Sequence, residues 1–356
     1  MSDTRALAQA GSFVSLPRSA RIGLDAARAT SALYVVAHHA AGLFHLPPPI
    51  ALVLSFGQEA VLVFFLLSGF VIFANESTRT ADLRGYYLRR LRRIYPLLVF
   101  AMLVSTALWA LGLIGSSPSA WSAVWTFLSM QDLSELKPGV IGDPYLANLP
   151  LWSISYEVVF YAIFPAVMVA WRRSARATRL GVPIASAAAY GVFIAAPNHF
   201  ALVAAYFLIW WTGAVAADLY LKGQLTIRSL RIEIVGLALL IAVAASAFAF
   251  AGFHGFGFYP VLPLRHFITS LILVLVLASP VRSALARLSV PWARAWAALA
   301  SISYGLYVLH YPLLIQPTVR VGSQWFVLFA AATFAAATLA ERGMMHLIPK
   351  PRSRSA

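Results

Sequence analysis

Four ionisable side chains lie within otherwise apolar stretches of the sequence, and their types suit acid–base chemistry. They are His39, Glu59, Glu157 and His310. An ionisable group is costly to bury in lipid, so each of them is a functional candidate. A histidine can take a proton from a hydroxyl nucleophile, and a nearby carboxylate can orient the imidazole and stabilise its cation. The four side chains thus predict a general-base site within a membrane.

Arginines lie beside these groups in the sequence. His39 follows Arg28 by eleven residues, so in one helix the two side chains share a face about 16 Å apart along the axis. A second group is the RRLRR run at 89–93. A guanidinium binds phosphate oxygens bidentately, so arginines at the inner mouth of a channel suit a polyphosphate. Such a site would use an activated donor from the cytoplasm and an acceptor from the other side.

Each of these residues also has a structural interpretation. A histidine within a span can hydrogen-bond a neighbouring carbonyl, which we expect of His38 more than of His39. Glu59 and Glu157 are alternatively contacts between helices, and His310 is close enough to the outer interface for a structural role to be an equal alternative. The RRLRR run is an ordinary topology signal in most membrane proteins.

The composition predicts the elements that must position these groups. Of 356 residues, 61% are hydrophobic and 11% are charged, against about 25% charged in soluble domains, and the mean hydropathy is +0.79. The chain contains no cysteine, which excludes disulfides, thiolate metal sites and cysteine nucleophiles. We predict an all-α polytopic membrane protein of about ten transmembrane helices. The spans are expected near 29–46, 51–74, 94–115, 151–171, 180–196, 201–217, 234–253, 263–279, 295–315 and 323–340.

The basic residues indicate the topology. Alternate connections and the two ends collect 24 of the 27 lysines and arginines, and the opposite side keeps only Lys137, Arg265 and Arg320. This asymmetry predicts that both termini are cytoplasmic. The net charge of +15 is therefore explained by topology, with membrane lipids as partners and no nucleic acid.

One membrane domain over 24–345 is expected, between basic cytoplasmic tails at 1–23 and 346–356. The longest external connection, 116–150, has two interpretations. It either shapes access for an extracytoplasmic substrate or is a simple solvated loop.

Five motifs, in order along the chain, resemble the membrane-bound acyltransferase family 3, the O-acetyltransferases that modify bacterial surface glycans and related acceptors. The first resembles the family's Arg-x10-His helix, with Arg28 and His39 in the two places. The others resemble its FFxLSGF, RRxxRIxP, WSxxxExxFYxxxP and SYxLYxxHxP segments. The five sequences are LDAARATSALYVVAHHA at 24–40, GQEAVLVFFLLSGFVIF at 57–73, YYLRRLRRIYPLL at 86–98, LWSISYEVVFYAIFP at 151–165 and SISYGLYVLHYPLL at 301–314.

The resemblance implies an acyl-CoA cosubstrate, usually acetyl-CoA, a hydroxyl acceptor on a glycan, glycolipid or small molecule, and a bacterial cytoplasmic (inner) membrane location. It implies no permanently bound cofactor and no metal. His39 is then the catalytic base or acyl carrier, and Glu157 is its orienting partner. The residues expected to bind the donor are Arg28, Arg89, Arg90 and Arg93. Candidates for the acceptor site or a supporting role are Glu59, Ser68, Trp152, Ser153, Tyr304 and His310.

This chain departs from the family pattern in its second motif. Relatives often carry Gly and Asp where Ala60 and Leu62 stand here, and Glu59 lies just upstream. The acyl chain length, the identity of the acceptor, and a direct or a covalent route are all left open by the sequence. The alternatives from other classes are a proton-coupled transporter or flippase of a glycan or small molecule, and a non-catalytic assembly protein. Retention of both Arg28 and His39 argues against the latter.

Overall fold

A computed structural model describes residues 16–79, 82–319, 324–344 and 347. Regular structure within these residues is helical, apart from one isolated bridge between Gln131 and Gly142. The α-helices, in order, are α1 Arg18–Ala41, α2 Pro48–Val53, α3 Gly57–Glu76, α4 Leu83–Ala110, α5 Ala120–Phe127, α6 Trp152–Arg173, α7 Ala175–Ala195, α8 His199–Leu221, α9 Arg231–Ser246, α10 Phe248–Ala251, α11 Val261–Ala278, α12 Val281–Ser289, α13 Ala293–His310 and α14 Trp325–Gly343. A π-helical turn, Tyr311–Ile315, follows α13.

Nine helical segments in the described part of the chain are long and apolar enough to cross a membrane. The predicted all-α, multi-pass membrane fold is thereby confirmed. The first predicted span, 29–46, corresponds to α1, which has 24 residues but is not among the nine. Helix α1 packs against α3 and α13, so protein covers part of its surface. Which side of the membrane holds the termini stays a prediction.

The predicted tails fall largely outside the described residues. The structure describes residues 16–23 of the predicted N-terminal tail, and 18–23 already belong to α1. Of the C-terminal tail, 346–356, only residue 347 is described, and Arg320 is likewise outside the described part.

Helix α8 is the centre of the bundle. It is apolar around its whole circumference, which is typical of a helix surrounded by protein, and 18 of its 23 residues are buried. It crosses α3 at two glycines. A Cβ on Gly69 would overlap the carbonyl oxygen of Trp210, and one on Gly213 would overlap the carbonyl oxygen of Leu66. Glycine is therefore required on both helices for the two backbones to touch.

The second predicted span, 51–74, is interrupted. The chain forms the short helix α2, leaves helical geometry at 54–56, and resumes as α3 at Gly57. Because the helix breaks there, the carbonyl of Leu54 is available to a side chain, and His38 takes it. Glu59 consequently lies in the first turn of α3, not eight residues inside a continuous helix as the sequence predicted.

The connection between α4 and α6 is folded into the protein, so its interpretation as a simple solvated loop is wrong. Six polar residues of this connection are buried: Thr126, Ser129, Gln131, Asp132, Lys137 and Asn148. Its end is fixed by side-chain bonds, since Gln316 Nε2 donates to the Leu146 carbonyl at 2.7 Å and Asn148 Nδ2 donates to the Val308 carbonyl at 3.0 Å. The connection is thereby held on α13.

Candidate active site

His39 lines a cavity of about 180 Å³. The walls come from α1, α3, the connection between α4 and α6, the start of α6, and α13. The ring of His39 lies 5.4 Å from that of His310 and 5.0 Å from that of Tyr311, measured between centroids. Among the described residues no hydrogen bond holds the His39 ring, so its nitrogens are available to a molecule in the cavity. The lining residues are Val35, His38, His39, Gly57, Gln58, Val61, Leu133, Leu136, Leu149, Pro150, Trp152 and Tyr307.

His38 has the structural role that we expected of it. Its Nδ1 lies 2.6 Å from the carbonyl oxygen of Leu54, and its ring fills the space beside Gly57, where a Cβ would overlap it. His38 therefore joins α1 to the break before α3. Of the two adjacent histidines, only His39 keeps its ring free of such a bond.

His310 is fully buried at the end of α13. Its Nδ1 lies 3.0 Å from the Leu306 carbonyl oxygen and 2.8 Å from that of Tyr307. Carbonyl oxygens only accept, so this nitrogen carries the proton and Nε2 is left as an acceptor. Within the described part of the chain Nε2 has no hydrogen-bond partner.

Glu157 belongs to a different cluster. Its carboxylate accepts a hydrogen bond of 2.9 Å from the Ser68 hydroxyl and another from Tyr161, while Trp210 Nε1 donates to Ser68 at 3.1 Å. No described contact joins Glu157 to His39. The sequence paired the two residues because both are ionisable groups within apolar stretches, but that does not tell which neighbours a helix face meets.

Arg28 lies within electrostatic range of both Glu157 and Arg93. It therefore connects the Glu157 cluster to the arginines that begin α4. Since Arg28 and His39 are on one helix, the donor-site candidates and the cavity lie at two levels along α1. We call the end of the bundle where α3 ends and α4 begins the arginine end, and the end where α1 and α13 finish the histidine end.

The arginines of the predicted donor site are paired with carboxylates. Glu76, the last residue of α3, accepts from Arg89 at 2.7 Å and 2.8 Å and from Arg90 at 3.2 Å. Glu341 of α14 accepts from Arg93 at 3.0 Å. All three guanidinium groups remain partly exposed, at 20–33% of the side chain, whereas both carboxylates are buried. Each arginine is thus oriented from the inside while part of its edge faces outward.

The remaining candidates lie at the histidine end or along α13. Glu59 forms an ion pair of 2.7 Å with Arg265. Ser153 and Tyr307 share a hydrogen bond of 2.7 Å. Trp152 lines the cavity, whereas Tyr304 donates to the Ile94 carbonyl at 3.2 Å and so lies nearer the arginine end.

A buried ion pair beside the cavity was not predicted. Asp132 and Lys137 approach to 2.5 Å and both side chains are wholly buried. Tyr156 donates to Asp132 at 2.7 Å, and the Lys137 ammonium lies 4.1 Å from the ring centre of Trp152. Burial lowers the pKa of Lys137, and the Asp132 carboxylate opposes that shift. Lysine is a rare residue in this chain. A lysine on the side poor in basic residues was the only signal in the sequence that pointed to this ion pair.

The family model of the acyltransferase domain matches residues 21–341. This range contains all five motifs and extends from α1 to Glu341. The chain is a member of acyltransferase family 3. The resemblance found in the sequence is thereby confirmed, and the multi-pass fold agrees with it.

Two relatives are similar to this acyltransferase-family chain over part of their length. Nodulation protein 10 of Rhizobium leguminosarum bv. viciae is 26% identical over 210 residues, which are 52% of this chain and 53% of that protein. Acyltransferase MdmB of Streptomyces mycarofaciens is 34% identical over 112 residues, 31% of this chain and 28% of that protein. The match thus spans about half the length of the first relative and less of the second. No solved structure matches the chain.

Proposed function

We propose that the protein is a membrane O-acyltransferase. It moves an acyl group, acetyl in the simplest case, from cytoplasmic acyl-CoA to a hydroxyl of a glycan or glycolipid acceptor at the extracytoplasmic side. The histidine end then faces outward in a bacterial cytoplasmic membrane, and the termini are cytoplasmic. Membership in the acyltransferase family and the acyltransferase relative from Streptomyces support the class of reaction.

The observation that carries the proposal is the free ring of His39 in a cavity, on the same helix as Arg28 and above a cluster of inward-anchored arginines. A hydroxyl acceptor needs a base, and a CoA donor needs cations for its phosphates. The cavity of about 180 Å³ is smaller than ordinary ligand pockets, which measure about 300–1,000 Å³. It therefore suits the reacting groups, with the rest of each substrate lying outside it.

In the direct route, a nitrogen of His39 takes the proton of the acceptor hydroxyl as its oxygen attacks the thioester carbonyl. The carbon–sulfur bond breaks, and the CoA thiolate leaves with the proton that His39 returns. No proton is gained or lost over the cycle. General-base assistance of this kind contributes about 10²–10⁴-fold to a rate.

In the covalent route, the His39 nitrogen itself attacks the thioester, and CoA leaves before the acceptor oxygen attacks the acyl-imidazole. The two routes differ in one observable. Radiolabelled acetyl-CoA given without acceptor leaves label on the protein only in the covalent route, and we expect the label to be absent after rapid quenching.

The role proposed for Glu157 changes with its contacts. It accepts from Ser68 and Tyr161 and faces Arg28, so it holds Arg28 for the donor instead of orienting His39. The donor phosphates lie on Arg89, Arg90 and Arg93, whose guanidinium groups are fixed by Glu76 and Glu341.

The test is consumption of radiolabelled acetyl-CoA by the purified protein in proteoliposomes, with host lipid and glycan extract as the acceptor source. Wild type is expected to turn over acetyl-CoA, and His39→Ala to lose about 10²-fold or more. Arg28→Ala is expected to lose activity mainly through a higher KM for acetyl-CoA.

His254→Ala is the matched control, because His254 is an exposed histidine that lies outside the cavity and bonds only a backbone carbonyl. It is expected to keep turnover within a few-fold of wild type at equal expression. Normal transfer by folded His39→Ala contradicts both routes. If wild type neither turns over nor binds acetyl-CoA, the proposed acyltransferase activity is contradicted and the transporter alternative is favoured.

A further inference from the structure

His310, whose ring centre lies 5.4 Å from that of His39, has an unpaired acceptor nitrogen. Its Nδ1 proton is committed to the carbonyl oxygens of Leu306 and Tyr307, at 3.0 Å and 2.8 Å, so the tautomer is fixed by the backbone of its own helix. The remaining nitrogen, Nε2, is buried and has no hydrogen-bond partner among the described residues. A buried polar atom without a partner is unusual and calls for a functional or solvent explanation.

The nearest ring that can satisfy this atom is His39. Two imidazoles joined by an N–H···N bond of about 3 Å have ring centres roughly 5 Å apart. The observed separation is 5.4 Å with 35° between the planes. A small rotation of the His39 ring, which no described hydrogen bond restrains, therefore forms the bond.

Most other polar side chains around His39 are engaged elsewhere, although Gln58, which lines the same cavity, also has a buried Oε1 without a partner among the described residues. His38 is bonded to the Leu54 carbonyl, and Tyr307 donates to the carbonyl of Pro150 at 2.6 Å. Tyr311 meets His39 edge to face at 5.0 Å. Glu59, the nearest acid on α3, is held by Arg265.

We propose that His310 is the positioning residue of His39, and this inference rests on the proposed acyl transfer. His310 Nε2 accepts the N–H of His39, which leaves the other His39 nitrogen unprotonated and directed at the acceptor hydroxyl. Charged orienting groups such as the aspartate of a hydrolase triad do the same work. A neutral imidazole does it without placing an unpaired anion in a membrane interior, where a buried charge is costly.

The arrangement also serves the second half of the reaction. When His39 holds the proton of the acceptor, both of its nitrogens are donors. One is then bonded to His310, and the other is free to return its proton to the CoA thiolate. His310 itself keeps its Nδ1 proton on the backbone throughout, so it neither gains nor loses a proton.

Two substitutions separate this role from simple packing. His310→Leu removes the acceptor, whereas His310→Gln keeps a side-chain carbonyl that accepts from His39 and an amide that donates to the backbone. We expect His310→Leu to lower kcat about 100-fold with the KM for acetyl-CoA within about twofold, and His310→Gln to stay within about tenfold of wild type. His254 is an exposed histidine outside the cavity whose ring bonds the Ala251 carbonyl. His254→Leu and His254→Gln are the matched controls and should keep kcat within about threefold.

A spectroscopic measurement tests the pairing without turnover. In lipid-embedded protein labelled with ¹⁵N-histidine, wild type should contain one N–H···N pair assignable to His39 by its absence in His39→Ala. The pair should disappear in His310→Leu and persist in His254→Gln. A His39 signal that is unchanged by His310→Leu, or a full kcat in that variant, overturns the inference. Absence of transfer in wild type contradicts only the proposed reaction, because the nitrogen signal is read independently.

Discussion

Replacing Lys137 by methionine is expected to leave the Asp132 carboxylate buried without its ammonium partner, with the His199 ring, 3.9 Å away, as the nearest other ionisable group. The ammonium lies 2.5 Å from the carboxylate, and neither side chain has exposed surface. Two donors to Asp132 would remain, the Tyr156 hydroxyl and the Leu133 backbone N–H, at 2.7 Å and 2.8 Å. Removing one partner of a buried ion pair typically lowers the free energy of unfolding by about 3–5 kcal/mol. We expect the effect of Lys137→Met to fall in that range.

For the opposite change, Asp132→Asn, the loss of unfolding free energy has an upper limit, which is the cost of deprotonating Lys137. Without the carboxylate, Lys137 can fold in its neutral form. With an ordinary pKa of 10.5, giving up the proton at pH 7 costs roughly 5 kcal/mol. Burial lowers the pKa of Lys137, so the unfolded state of this variant binds more protons than the folded state below pH 10.5. The stability of Asp132→Asn therefore rises with pH, by up to about 1.4 kcal/mol per unit.

The assay is reversible unfolding in mixed micelles by titration with sodium dodecyl sulfate, followed by tryptophan fluorescence. The double variant Asp132→Asn with Lys137→Met carries no buried charge at this place and should recover most of the loss. Lys222→Met is the surface control, since Lys222 pairs with Asp218 at 2.7 Å but is 56% exposed, and should change stability by about 0.5 kcal/mol or less.

Additive effects of the two single substitutions would refute the reasoning, because the coupling of a buried pair must appear in the double variant. So would a change of less than about 1 kcal/mol in either single variant. The result also bears on activity. Leu133 and Leu136, which lie between Asp132 and Lys137 in the sequence, line the cavity of His39, so a loosened pair should raise the KM for the acceptor.

Three further predictions concern the bundle, its orientation and the donor site. Gly69→Ala should destabilise the protein by about 3 kcal/mol because its methyl group overlaps backbone of the crossing helix, while Gly191→Ala, which meets open space, should be neutral or stabilising in the same titration. In this cysteine-free chain, Ala196→Cys should react with an impermeant maleimide in intact cells, and Arg176→Cys only after permeabilisation; the reverse pattern contradicts cytoplasmic termini. Glu76→Gln should raise the KM for acetyl-CoA about tenfold, since two arginines lose their common anchor, and an unchanged KM would exclude that role.

The sequence predicted the features that depend on composition and helical spacing. Apolar periodicity and length are local properties, so the all-α fold and most of its spans followed directly. The spacing of Arg28 and His39 on one helix also required no tertiary information. Even the structural role of His38 followed from its place on a different side of that helix.

What the sequence did not predict depends on which helix faces meet. Glu157 and His39 have similar depths, yet Glu157 meets Ser68 and Tyr161 while His39 meets His310. Rotation of each helix about its own axis decides such contacts, and close approach at Gly69 sets it for α3. The break at 54–56 was missed for a related reason, because the bond from His38 that uses it comes from another helix.

The donor site also depends on contacts between helices. RRLRR can be found in the sequence because arginines are conspicuous, but an arginine without a partner in a membrane protein would be mobile or would bind lipid headgroups. Glu76 and Glu341, from α3 and α14, convert three of these cations into fixed groups. Likewise, the backbone of α13 fixes the proton of His310, and His310 in turn is placed to fix that of His39. His39 and the donor arginines are therefore oriented by residues of other elements, so the site exists only when the bundle is assembled.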